Sequence, residues 1–429
     1  MDLRPSRMQI TAHELFDDEV PDSRLWELTA DMWIALDDSI RSGYFRRLPP
    51  DLPLVRRPVH VLLMACSSRG EFRERAIVQL ARHPVLWPLL VIRALDWAGP
   101  VRAYARHILV NVATRPEAAG RVIPTAVRLR DRIGGRDLLD LLRPLVPFDA
   151  HADFDDRTMR LVVEELIRRD DVEALRRLHG RMTAPAAMLR AAGHLLDRSE
   201  PEPFLRSRFS QIRARALVLA PHRGAEFLED PSKIVRLTAQ GVVRRAGGDP
   251  ASHYRANLAG PASIEGLGES AGPADAERIT PFLRHPRAKV RAAAARALRG
   301  WERHDDVAPL IHDPSARVVR QAVKSLRAAG APPDFGLLDR AHPPHVRRAG
   351  HRLLVAADPW TRLKADLLLL GDPELGTNAF MDLQAWCGPV LAALHRPCPE
   401  EWRAELGVLV EKAPEKIRGR LRWALDPRR

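Results

Sequence analysis

Cysteine is nearly missing from this chain: Cys66, Cys387 and Cys398 are odd in number and far apart, which excludes a disulfide framework. The nearest approach to a metal-ligand spacing, Cys387-x7-His395-x2-Cys398, lacks a fourth ligand and any Cys-x2-Cys pair. No metal or cofactor is therefore expected. Aromatic residues are only 5% of the chain, with three tyrosines, fewer than one large globular core would carry. Long apolar runs are missing too. The most apolar stretches, 59–66 and 85–92, are far below the roughly 20 residues of a membrane helix. The opening residues Met1 to Arg7 have no apolar stretch of the signal-peptide kind, so a cytoplasmic protein is expected. Alternating β-branched patterns are scarce, which argues against sheets. No Walker-type loop, Gly-x-Ser-x-Gly or His-Glu-x-x-His occurs, so no catalytic motif suggests an enzyme.

What the chain has is arginine, alanine, leucine and proline. Six lysines stand against 62 arginines, a choice that reads as GC-rich coding bias. The formal net charge of +13 permits contact with polyanions whatever its origin.

These residues recur in order. One copy reads Phe282-Leu283-Arg284-His285-Pro286-Arg287-Ala288-Lys289-Val290-Arg291, followed by Ala294, Ala297 and Leu298 on one helical face. A second reads Leu310-Ile311-His312-Asp313-Pro314 through Val319-Arg320, and a third runs from His342 to Val346-Arg347. Leu228 to Arg236 is an earlier copy. Each pairs the apolar end of one helix with a polar-Pro turn and a second helix, and proline suits a helix's first turn. The Val-Arg pairs fall at 290/291, 319/320 and 346/347, spacings of 29 and 27. A unit this short cannot bury its own apolar face, so stacked neighbours must do it.

The pattern resembles the HEAT repeat, in the short form seen in phycobilisome-lyase-type HEAT proteins. The resemblance implies stacked helix pairs with binding surfaces. It also implies that each Val-Arg arginine packs against an acidic residue or carbonyl of its neighbour. Two lesser implications accompany it. Lyase-type relatives handle a tetrapyrrole or its carrier. Other HEAT-like proteins are alkylpurine DNA glycosylases, which present tryptophans and an aspartate on a basic face; Asp96-Trp97, near Arg93 and Arg102, resembles that pair.

Five segments follow. Residues 1–57 carry eleven acidic and eight basic groups and read as an N-terminal cap, with Leu25, Leu28, Met32, Leu36 and Ile40 on one helical face. Trp26 and Trp33, seven apart, are expected to project together. Residues 58–246 are degenerate helical repeats. The Gly/Pro/Ala-rich 247–276 reads as a long loop or linker dividing two arms. Residues 277–357 hold the well-matched repeats, and 358–429 form a C-terminal helical cap whose tryptophans fill the end of the stack.

A basic stripe is the strongest candidate for function. From 278 to 352 there are sixteen basic and six acidic residues. Arg317, Arg320, Lys324 and Arg327 share a helical face, Lys233, Arg236 and Arg244 share another, and Arg347 continues the row. With Lys289 and Arg291 these are the candidate binding residues. They read either as a basic trough for a polyanion or as packing arginines and an ordinary solvated face. The sequence thus reads as an all-α, HEAT-like helical-repeat solenoid with N- and C-terminal caps. Its expected role is a non-enzymatic scaffold for another protein, one with an acidic surface or peptide. Nucleic-acid backbone binding is the alternative.

Overall fold

The computed structural model describes residues 21–42, 57–149, 151, 153–386 and 398–425, and within them every regular element is helical. The chain divides into two compact units, 1–212 and 213–429. The α-helices of seven or more residues are α1 to α21 in chain order.

The first unit contains α1 (Ala30–Ser42), α2 (Pro58–Ala65), α3 (Gly70–Arg82), α4 (Trp87–Arg93), α5 (Gly99–Ala113), α6 (Ala118–Arg128) and α7 (Gly135–Leu142). It continues through α8 (Asp156–Arg168), α9 (Val172–His179) and α10 (Pro185–Leu196). Trp33, Leu62, Trp87, Leu90, Val122 and Leu139 are buried in its core. Proline opens several of these helices, where its missing N–H is not needed. Aspartate caps others: Asp155 accepts the backbone N–H groups of Arg157 and Thr158, and Asp171 that of Ala174. The expected apolar face at the start is present, with Leu25, Leu28, Leu36 and Ile40 buried and Met32 packed against them. The helix itself breaks between Leu25 and Ala30. The break sets Trp26 on the surface and Trp33 in the core, so the two rings do not project together.

After α11 (Ser210–Leu219), the second unit contains α12 (Lys233–Arg245), α13 (Pro250–Ala256), α14 (Pro261–Ser270), α15 (Ala288–Gly300), α16 (Ala316–Ala328) and α17 (Pro344–Val355). Then come α18 (Pro359–Leu369), α19 (Gly376–Trp386), α20 (Glu400–Glu411) and α21 (Glu415–Leu425). Short 3-10 turns precede α12, α15, α16 and α17 and pack on them as the first layer of each repeat. The longer helices form a second row in which α14, α15, α16, α17 and α18 pack in succession.

Residues 247–276 are not a loop. They fold into α13 and α14, each opened by proline, with Asp249 capping the first. Their glycines permit close packing. A Cβ on Gly266 would lie 2.2 Å from the Tyr254 ring, and one on Gly268 2.5 Å from the Ala297 Cβ. The division of the chain falls earlier, at Ile212/Arg213.

The repeat register also differs from the Val-Arg spacing. Both α15 and α16 run for 13 residues from an alanine two positions after proline, and their starts at Ala288 and Ala316 lie 28 apart. Arg291 therefore matches Val319, and a further 28 residues on it matches Arg347. Val319 is buried and Arg320 exposed, so the Val-Arg pair of that copy is one residue out of register. The apparent 29 and 27 are one regular period.

Of the tryptophans expected to fill the C-terminal end, Trp402 is half-buried against Phe335 and Trp423 is exposed, while the Trp386 side chain lies outside the described residues. Cys66 and Cys398 are buried free thiols. Cys387 and His395 lie outside the described residues. Among those described, no helix is long and apolar enough to cross a membrane.

Candidate binding face on the second-helix row

The ten candidate cations separate into two groups. Arg236, Arg291 and Arg347 are committed to contacts within the protein. The Arg291 guanidinium donates to both carboxylate oxygens of Asp313 (Nε–Oδ2 2.7 Å, Nη2–Oδ1 2.9 Å). It also donates to the carbonyls of His285 and Pro286, six and five residues back (2.8 and 2.9 Å). Arg236 grips the Asp230 and Pro231 carbonyls in the same way and reaches Glu265 and Glu269, each at 2.7 Å. Arg347 donates to the His342 carbonyl and pairs with Asp372 (Nε–Oδ2 3.0 Å).

The device recurs outside the candidate set. Arg73 holds the Ser67 and Ser68 carbonyls and forks onto Asp96. Arg213 forks onto Asp230. Each aspartate in turn fixes the next helix start by accepting the N–H two residues on: Asp96 from Ala98, Asp230 from Ser232, Asp313 from Ser315, Asp372 from Glu374. The planar, five-donor guanidinium suits this double role, which a lysine could not fill. The signal was present in the sequence as an acidic or polar residue six positions before Arg73, Arg213, Arg236 and Arg291 (Ser67, Ser207, Asp230 and His285), while Arg347 has Ala341 there and His342 one residue later. Asp96 itself carries four bonds, from Arg73 twice, Arg93 and the Ala98 N–H. Burial pushes its pKa up, but those hydrogen bonds and the charges of Arg93 and Arg73 outweigh it and leave the carboxyl below its ordinary value. No carboxylate oxygen is left for the catalytic role that Asp96-Trp97 suggested.

The second group faces water. Lys233, Arg244, Lys289, Arg317, Arg320, Lys324 and Arg327 are all exposed. None has an ion-pair partner among the described residues. The four on α16 lie opposite its buried Val318, Val319, Ala322 and Val323. The 28-residue register aligns Lys289 with Arg317, Arg296 with Lys324, and Arg299 with Arg327. It also brings in Arg348 and Arg352 on α17, exposed cations that the Val-Arg pattern had passed over. Arg296 pairs with Glu265, and Arg348 approaches Glu374 at 3.6 Å. Burial, together with the Arg296 charge, holds Arg299 below its ordinary pKa. Lys233 and Arg299 border a cleft of about 290 Å³ between α12, α14 and α15, with Leu237, Gly268 and Glu269. The two carboxylates of this cleft, Glu265 and Glu269, are held by Arg236, which leaves the exposed cations as its outward charge.

No protein-family model matches the chain, and no curated protein matches its sequence. Among solved structures, the crystal structure of Kap121p bound to Pho4p is similar at 14% identity and a TM-score of 0.25. That match covers 98% of this chain and 45% of the other, so this chain spans about half the length of that neighbour.

Proposed function

We propose that this protein is a non-enzymatic scaffold of the short HEAT-like kind whose second-helix row binds an acidic protein surface or peptide. One observation carries the reading: Arg317, Arg320, Lys324 and Arg327 line the exposed face of α16 without acidic partners, while the repeat arginines beside them are consumed by internal pairs. Cations left unpaired on a folded surface raise the local concentration of an oppositely charged partner. A nucleic-acid backbone is the second reading. Stacking aromatics give it little support, since Phe282 and Phe335 are half-buried and Trp301 is buried. A cytoplasmic setting agrees with the sequence.

The test is fluorescence anisotropy of a labelled 20-residue Glu/Asp-rich peptide and a labelled 20-mer duplex at two salt concentrations. The control is the Arg317→Glu, Arg320→Glu, Lys324→Glu variant. Peptide binding lost in that variant supports the scaffold reading. Duplex binding with a salt slope of roughly −0.9 per phosphate, lost in the same variant, favours the nucleic-acid reading instead. Binding of neither probe tighter than about micromolar, or binding unchanged in the variant, removes the basic face from the account.

A further inference from the structure

Three consecutive helices bring together one imidazole and two carboxylates. His351 of α17 meets Asp366 of α18, Nε2 to Oδ1, at 2.6 Å. Asp382 of α19 lies beside them, and one donor atom from each of the three falls within 4.8 Å of the other two. Asp366 is fully buried, yet its Oδ2 has no hydrogen-bond partner. A buried carboxylate oxygen left without a partner carries a substantial desolvation cost. Arg362 does not remove that cost. Its guanidinium donates to both oxygens of Asp382, Nη2–Oδ1 at 2.6 Å and Nε–Oδ2 at 3.2 Å. The same Nε stands 4.0 Å from Asp366 Oδ2, beyond hydrogen-bond reach. The Arg362 guanidinium thus binds Asp382 and only approaches the orphaned oxygen of Asp366.

We infer that His351, Asp366 and Asp382 form a binding site for a divalent first-row transition ion of the Zn²⁺ or Mn²⁺ type. Two carboxyl groups share the one Arg362 guanidinium, so a divalent ion supplies positive charge that the site lacks. The nitrogen donor favours a transition ion over Mg²⁺ or Ca²⁺, which take oxygen ligands. Metal–ligand bonds of about 2.1 Å set the donors of a tetrahedral ion about 3.4 Å apart, so a set spread over as much as 4.8 Å closes by side-chain shifts of about an ångström. His351 and Asp382 are partly exposed, which gives the ion a path in and room for water ligands. Arg362 is the resident cation and the competitor. Its side chain is 27% exposed and swings to solvent when the ion enters.

The experiment strips the full-length protein with EDTA, titrates it with Zn²⁺, and counts bound metal by elemental analysis after gel filtration. Melting temperature is followed in parallel. Co²⁺ replaces Zn²⁺ for a visible ligand-field spectrum. One equivalent is expected, with a raised Tm, and with both lost in His351→Ala and in Asp382→Asn. Arg362→Ala removes the competitor, so its Zn²⁺ affinity should rise by about tenfold, as expected for one opposing charge. Circular dichroism checks that each variant is folded, and Asp382→Asn, on the partly exposed ligand, is the one least able to disturb the fold. No bound metal overturns the inference. So does an equivalent that persists in His351→Ala and Asp382→Asn, which would place the ion elsewhere, for example on the neighbouring His312 and His342 rings. Unchanged affinity in Arg362→Ala overturns the assigned place of Arg362.

Discussion

Arg291 and Asp313 meet fork to fork across consecutive repeats, with both guanidinium–carboxylate bonds under 3 Å and both side chains largely withdrawn from water. The same guanidinium ties down the turn that starts its own helix. Removing it leaves Asp313 buried with only the Ser315 N–H, so Arg291→Met should cost about 3 kcal/mol, as breaking a buried pair does. Arg291→Lys should recover little of this, because an ammonium cannot fork onto a carboxylate and reach two carbonyls together. Replacing both partners, as Arg291→Met with Asp313→Leu, should restore most of the stability. Urea denaturation of the three variants decides the matter; a single mutant within 0.5 kcal/mol of wild type would remove the ladder as a stabilising device.

That ladder shows how far the sequence could be read. The all-helical repeat was legible because apolar spacing and proline punctuation are local signals, and the α15 and α16 copies carry both. The fate of Arg291 was half legible: its apolar neighbour marked it as packed, but its partner lies 22 residues away. The Val319-Arg320 pair was aligned with the other Val-Arg pairs because a one-residue slip in a Val-Val-Arg string is invisible until helix starts fix the register. Residues 247–276 were misread for a different reason. Glycine signals flexibility locally, whereas at Gly266 and Gly268 it answers a tertiary demand for close approach. The cluster of His351, Asp366 and Asp382 has no sequence signature, since its members come from three helices.

A substitution at Gly268 should therefore behave opposite to helix propensity. In an exposed helix Gly→Ala gains about 1 kcal/mol. Here the new Cβ would stand 2.5 Å from the Ala297 Cβ and 2.9 Å from its Cα, and backbone cannot move aside cheaply. Gly268→Ala should lose about 1–3 kcal/mol as an overpacked contact. The paired variant Gly268→Ala with Ala297→Gly should lose less than Gly268→Ala alone. Thermal denaturation of the single and paired variants reads this directly, and a stabilised single mutant would contradict the close packing of α14 on α15.

The exposed cations of α16 should be dispensable for folding. Arg317→Glu, Arg320→Glu and Lys324→Glu each replace a side chain that makes no ion pair among the described residues. Each change should fall within about 0.5 kcal/mol of wild type. The triple variant should be at least as stable at low salt, because it relieves like-charge repulsion along the face. A large loss in the triple variant would mean that these cations serve the fold.

Acid should unfold the first unit through Asp96. Burial raises its pKa, and the Arg73 bonds, the Ala98 N–H and the charges of Arg93 and Arg73 more than reverse that, so the folded carboxyl lies below its unfolded value. The sign follows from linkage. A lowered folded pKa gives stability that is complete above the unfolded value near 3.9 and drains away as pH falls toward the folded one. Wild-type stability should thus decline steeply below about pH 5. Asp96→Asn keeps the shape but cannot ionise. It leaves Arg73 and Arg93 short of a counter-charge, so it should be weaker at pH 7 by about 3 kcal/mol. Its loss between pH 5 and pH 3 should be shallower than that of wild type, because one titrating carboxylate is gone. Asp155 and Glu165, also held below their ordinary range against burial by hydrogen bonds and arginine charges, keep the residual slope. Denaturant midpoints measured at half-unit pH steps for both proteins test this. Parallel curves below pH 5 would show that the Arg73–Asp96–Arg93 cluster does not govern the acid limb.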